Sequence, residues 1–67
     1  MAAGKVRWFS DEKGFGFITP DDGGADLFAH HSALGGGTWP SLKQHQRVEF
    51  ELRAGTKGPM AGNIRAL

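Results

Sequence analysis

Apolar and polar side chains alternate along several short segments of the chain. The clearest segment is residues 47–53, where Val48, Phe50 and Leu52 are separated by charged residues. A period of two is typical of a β-strand that buries one face. Clusters of Gly, Asp and Pro interrupt the chain at close intervals and leave no room for long helices. The pattern predicts strands at residues 5–10, 15–19, 26–30, 47–53 and 60–66, with a short helical turn at 31–34.

The length of the chain limits how these strands can be arranged. Its 67 residues are enough for a single domain, which we expect to span residues 1–67 and to have a thin core. So few residues cannot build two well-covered sheets, and closure into a barrel removes the exposed edges of an open sheet. We therefore expect an all-β protein built as a small barrel. The residues expected inside it are Val6, Ile18, Leu27, Ala29, Val48, Phe50, Leu52 and Ile64.

The two faces of the second and third predicted strands differ in chemistry. Alternation places Phe15 and Phe17 on one face of their strand, and Phe28 and His30 on one face of the next. A position in the core would be the simpler interpretation of an isolated Phe-x-Phe. The aliphatic residues already fill an interior of this width, however, and reversing the faces would expose Ile18. We therefore expect the rings outside, where an exposed apolar patch marks a binding site.

Trp8 can join this patch only if the first strand is irregular. Regular alternation would place Trp8 on the same side as Val6, so a bend or bulge is required, with Phe9 at the margin of the patch. Cations lie at strand ends or loops nearby, at Lys5, Arg7, Lys13 and Lys57. Flat rings interleaved with cations suit single-stranded nucleic acid, because bases stack on rings and phosphates attract positive charge.

Composition narrows the classes of function. The net charge is only +1, from 8 basic and 7 acidic residues, so stacking rather than charge would supply most of the affinity. The absence of cysteine excludes disulfides and thiolate metal sites. No apolar stretch is long enough for a signal peptide or a membrane span. We therefore expect a cytoplasmic protein without a membrane partner.

The residues that could form a catalytic or metal site are Asp26, His30, His31 and Ser32. Adjacent histidines in one strand point to opposite faces, and Asp26 lies several residues away from them along the same strand. This spacing is poor for a catalytic triad or a metal. We therefore expect no enzyme, no catalytic residue, no metal, no cofactor and no small-molecule substrate.

The motifs that carry the rings resemble a known family. Trp8-Phe9, residues 13–18 (Lys-Gly-Phe-Gly-Phe-Ile) and residues 26–30 (Asp-Leu-Phe-Ala-His) are similar to the two ribonucleoprotein-type motifs of the cold-shock domain family. The likeness continues to Asn63-Ile64 and covers nearly the whole chain. It implies a five-stranded antiparallel OB-fold barrel that binds single-stranded RNA and DNA. It also implies an RNA chaperone with a mild pyrimidine preference, acting in stress response and gene regulation.

The same resemblance implies roles for individual residues. Those expected to stack on bases are Trp8, Phe15, Phe17, Phe28, His30 and Trp39. Those expected to contact the nucleic-acid backbone or base edges are Arg7, Lys13 and Lys57, whereas Asp26 is expected to accept a hydrogen bond from a base. His31 stands where the family usually has Phe, so that an imidazole replaces one ring of the binding site. For Trp39, closure of the barrel bottom is the alternative role.

Two other interpretations remain open. An RNA recognition motif has a similar Lys-Gly-Phe-Gly-Phe run, but it requires two packing helices for which this chain has no suitable apolar periodicity. A protein–protein interaction module could use the aromatic patch for docking or dimerisation. We expect a monomer, and the sequence also allows a strand-exchanged dimer.

Overall fold

A computed structural model describes residues 2–34, 42–56 and 58–67. Its strands are β1 (Ala2–Ser10), β2 (Phe15–Pro20), β3 (Leu27–His30), β4 (Arg47–Gly55) and β5 (Gly58–Ala66), and a 3₁₀ turn (His31–Ala33) follows β3. Every predicted strand and the predicted helical turn are confirmed, although the ends of the strands differ by up to three residues. The described part of the chain contains no α-helix.

The five strands close into a barrel in the order β1-β2-β3-β5-β4, with β4 pairing back onto β1. The predicted antiparallel arrangement holds for β1–β2, β2–β3, β1–β4 and β4–β5. The pair β3–β5 is parallel, with Phe28 opposite Met60 and Ala29 opposite Ala61. The all-β barrel is therefore confirmed, and its closure is consistent with an OB-fold.

Small and branched apolar residues fill the barrel. The described core consists of Val6, Ile18, Leu27, Ala29, Leu42, Val48, Phe50, Ala61 and Ile64. Seven of the eight predicted core residues are among them. Leu42 and Ala61 are additional core residues that the sequence pattern does not identify. Among the described residues, these aliphatic side chains and one ring, that of Phe50, form the core cluster. The aromatic side chains of β1, β2 and β3 are not members of it.

Leu52 corrects one prediction, because 68% of it is exposed. Alternation does put Leu52 on the same side of β4 as the buried Phe50. Ala2, however, is the first described residue of β1 and already lies opposite Phe50, so no described residue of β1 faces Leu52. Leu52 instead lines a shallow hollow of about 220 Å³ at the end of the barrel, beside Pro20 and Pro59. Its assignment to the core was wrong because alternation indicates a side of the strand but not where the barrel ends.

A bulge in β5 explains why Ala61 is buried. Glu49 pairs with Arg65, whereas Glu51 pairs with Gly62, so β5 contains one more residue than β4 over this stretch. Asn63 lies there with a left-handed φ of 47°. The bulge shifts the alternation by one residue, so that Ala61 faces the core and its neighbour in sequence, Met60, lies on the outer side.

Candidate nucleic-acid interface

A bulge in β1 turns Trp8 to the outer side of the barrel. Val6 pairs with Ile18, but the next paired residue, Trp8, lies opposite Phe17, so Arg7 is an additional residue in β1. Val6 is fully buried, whereas Trp8 is 39% exposed. The bulge that the sequence requires is therefore confirmed. Phe9 is partly buried and packs against the core, whereas the sequence places it at the margin of the patch.

Strand register brings five rings together on the outer side of β1, β2 and β3. Phe17 lies opposite Trp8 on one side and Phe28 on the other, while Phe15 lies opposite His30. The Trp8 ring centroid is 5.7 Å from that of Phe15 and 5.6 Å from that of Phe17. The Phe28 centroid is 5.7 Å from Phe15, 5.9 Å from Phe17 and 6.3 Å from His30. We call Trp8, Phe15, Phe17, Phe28 and His30 the aromatic face.

The rings of the aromatic face lie outside the core but partly cover one another. Phe15, Phe17, Phe28 and His30 are half-buried, and none of them belongs to the core cluster. The planes of Phe15 and Phe28 are inclined by 28°, as are those of Phe28 and His30. Phe17 meets Phe28 edge-on, at 75°. The result is a contiguous apolar surface that offers several ring planes to flat ligands.

His31 extends the aromatic face by one ring. Its centroid lies 4.3 Å from that of His30. The Nδ1 atom of His30 accepts a hydrogen bond from the backbone N–H of Ser32 at 3.2 Å and lies 2.8 Å from the Ser32 hydroxyl. A backbone N–H can only donate, so Nδ1 is the acceptor in this contact. The start of the 3₁₀ turn therefore fixes the orientation of the His30 ring.

Two glycines allow neighbouring residues of the site to approach the backbone closely. Gly14 has a φ of +77°, and a Cβ atom there would lie 2.7 Å from Cδ2 of His31. Its carbonyl accepts a hydrogen bond from the His31 backbone N–H at 2.9 Å. At Gly16, on the inner side of β2, a Cβ would lie 2.6 Å from Cα of Phe9. A side chain at either position would displace part of the site.

Charged residues lie beside the aromatic face. Arg7 Nη1 donates to Asp26 Oδ2 at 3.1 Å, and the Thr19 hydroxyl donates to Asp26 Oδ1 at 2.9 Å. Both carboxylate oxygens of Asp26 therefore already have a donor, while the side chain of Arg7 remains 65% exposed. Lys13 is exposed in the turn between β1 and β2. Trp39 and Lys57, which the sequence also assigns to the site, lie outside the described residues.

Neither a metal site nor a membrane span is found in the described part of the chain. No group of three or more His, Cys, Asp or Glu residues there could hold a metal ion. The same residues form no helix of the length and hydrophobicity needed to cross a membrane.

Comparisons with known proteins agree with this geometry. The chain matches the 'Cold-shock' DNA-binding domain family over residues 2–67. It is 52% identical to Cold shock-like protein CspA from Stigmatella aurantiaca (strain DW4/3-1) over 67 residues, which cover 100% of this chain and 98% of that protein. It is 53% identical to Cold shock-like protein CspE from Escherichia coli (strain K12) over 64 residues, which cover 96% of this chain and 93% of that protein.

Proposed function

The chain belongs to the cold-shock domain family, whose members are nucleic-acid-binding and non-enzymatic, and from this premise we propose that its aromatic face binds single-stranded RNA and DNA by stacking on the bases. The observation that carries the proposal is the cluster of adjacent rings on the outer side of the barrel, in which Trp8 is 39% exposed. Stacking on such rings contributes about 1–3 kcal/mol per base and tolerates any sequence, because every base has a π-face.

The proposed roles of the site residues follow from their places around this face. The rings that stack on bases are Trp8, Phe15, Phe17, Phe28, His30, His31 and Trp39. The cations that contact phosphates or base edges are Arg7, Lys13 and Lys57. Asp26 accepts a hydrogen bond from a base edge, in competition with its contacts to Arg7 and Thr19. Because the net charge of the chain is only +1, stacking contributes more of the binding free energy than phosphate contacts do.

A protein that holds bases on rings stabilises unpaired strands at the expense of paired ones, because a base in a duplex cannot stack on a side chain. We therefore propose an RNA chaperone that keeps transcripts unstructured in the cytoplasm and so affects transcription or translation. A mild preference for pyrimidines accompanies this role.

The experiment that tests this function uses Trp8 as its reporter. The chain has two tryptophans, so a Trp39→Phe variant leaves Trp8 as the only one while keeping a ring at position 39. Titration with oligothymidine and oligoadenine at low and high salt should quench Trp8 fluorescence, more tightly at low salt. An absence of quenching by either oligonucleotide at low salt would refute the proposed function.

Sedimentation tests the alternative that the aromatic face is a docking or dimer patch. A dimer held by apolar contact should persist or tighten as salt rises, and oligonucleotide should not compete with it. Binding of a strand by the monomer at low salt instead supports the nucleic-acid interface. A self-associated protein whose Trp8 is not quenched by oligonucleotide would favour the docking patch.

A further inference from the structure

A row of aligned residues continues beyond the aromatic face onto β5 and β4. Trp8 lies opposite Phe17, and Phe17 opposite Phe28. Phe28 in turn lies opposite Met60, and Met60 opposite Arg53. The row therefore crosses all five strands, one residue per strand. Neighbouring strands are about 4.8 Å apart, so Met60 and Arg53 are the next two steps beyond the ring of Phe28.

The side chains of Met60 and Arg53 lie flat on the backbone of the β4–β5 hairpin. A Cβ atom added to Gly55 would lie 2.6 Å from Cγ of Met60, and one added to Gly62 would lie 2.8 Å from Cζ of Arg53. Gly62 is buried even though it is on the outer side of β5, because Arg53 covers it. The thioether and the guanidinium thus each turn one side to the barrel and the other outward, as the rings of the aromatic face do.

A hydrogen bond to Glu51 helps to hold the guanidinium in this position. The Glu51 carboxylate accepts from Nη2 of Arg53 at 3.3 Å and from Nδ2 of Asn63 at 3.0 Å. The Arg53 side chain is nevertheless 58% exposed. Asn63 is the bulge residue of β5 with its left-handed φ, so the bulge supplies the second donor to Glu51.

The hairpin and the 3₁₀ turn together form a groove around these residues. Its volume is about 490 Å³, within the range of about 300–1,000 Å³ that is typical of small-molecule sites. Leu34 and Met60 give it an apolar wall, whereas Ser32, Glu51 and Asn63 give it hydrogen-bonding groups. A groove in which apolar and hydrogen-bonding groups lie side by side suits a nucleobase, which has flat faces and a polar rim.

We propose that this groove binds one further nucleotide of the same single strand, with its base stacked on the guanidinium of Arg53 and against Met60. The inference rests on the proposed function, because the strand reaches the groove by way of Phe28. Arg guanidinium planes stack on bases much as aromatic rings do, and their positive charge adds to the attraction. The binding track is then longer than the aromatic face and extends around the barrel onto the hairpin.

The test compares Arg53→Ala with Arg47→Ala on short and long strands. Arg47 is a matched control: it also carries one positive charge and makes one exposed ion pair, to Asp21 at 2.8 Å, but it does not line the groove. A labelled oligothymidine of about four nucleotides covers the aromatic face alone, and one of about ten nucleotides covers the aromatic face together with the groove. We expect Arg53→Ala to weaken binding of the long strand at least about 5-fold more than Arg47→Ala. On the short strand the two variants should behave alike.

An Arg53→Lys variant separates stacking from simple charge, because Lys keeps the charge and loses the plane. We expect it to recover only the part of the affinity that the charge supplies, and so to bind the long strand more weakly than the unmodified protein does. Full affinity in Arg53→Lys, or equal effects of the two alanine variants on the long strand, would overturn the inference while leaving the proposed function intact. Failure of the unmodified protein to bind either strand would instead refute the proposed function and the inference with it.

Discussion

Replacing Phe28 by Leu separates stacking from packing, because Leu keeps an apolar side chain but has no flat face. Phe28 lies in the middle of the aromatic face and contacts the rings of Phe15, Phe17 and His30 at centroid distances of 5.7, 5.9 and 6.3 Å. Loss of one stacked base should cost about 1–3 kcal/mol, which raises Kd about 5- to 150-fold. Since Phe28 is only half-buried, the free energy of unfolding should fall by only about 1 kcal/mol.

The same substitution at Phe50 is the matched control for Phe28→Leu. Phe50 is fully buried in the barrel, so Phe50→Leu should leave a cavity and lower the free energy of unfolding by about 2 kcal/mol. The affinity of the folded fraction for oligothymidine should not change. Both quantities are measured in one buffer, from denaturant unfolding curves and from Trp8 fluorescence titrations. Equal increases in Kd for the two variants would refute a specific role of the aromatic face.

Three further substitutions test individual features of the fold and the site. Gly14→Ala should lower the free energy of unfolding by about 1–2 kcal/mol more than Gly23→Ala does. Both glycines have positive φ, but only Gly14 lies against a ring, that of His31. Equal losses of stability on thermal unfolding would contradict this. Leu52→Thr should change the free energy of unfolding by less than about 0.5 kcal/mol, since Leu52 is 68% exposed, and a larger loss would place it in the core. Lys13→Ala should reduce the slope of log Kd against log salt by about 0.7, and an unchanged slope would exclude a phosphate contact.

Much of the fold follows from the alternation of the sequence, because a strand that buries one face must repeat its apolar residues every second position. Val48 and Phe50 are buried as predicted, and the strand that contains them is where the pattern places it. Phe15 and Phe17 lie outside because the aliphatic residues fill the interior. The volume of the aliphatic side chains therefore decides between two faces that alternation alone leaves equivalent.

Other features depend on contacts that alternation does not describe. Leu42 is buried, but it lies between polar residues outside any strand, and only its tertiary neighbours reveal it. Leu52 is exposed because the barrel ends before it, which depends on where β1 begins relative to β4. Ala61 is buried because a bulge shifts β5 by one residue. The signal that could have indicated this bulge is Asn63, since Asn adopts left-handed backbone more readily than most residues.

Two bulges in the described strands lie near opposite ends of the row that runs from Trp8 to Arg53. Each adds one residue that a regular strand would not need, Arg7 in β1 and Asn63 in β5. Each added residue donates to a carboxylate beside the row: Arg7 to Asp26 at 3.1 Å and Asn63 to Glu51 at 3.0 Å. On a chain of nearly neutral charge, the bulges thus place polar groups beside the row, where we propose that they orient a bound nucleic-acid strand.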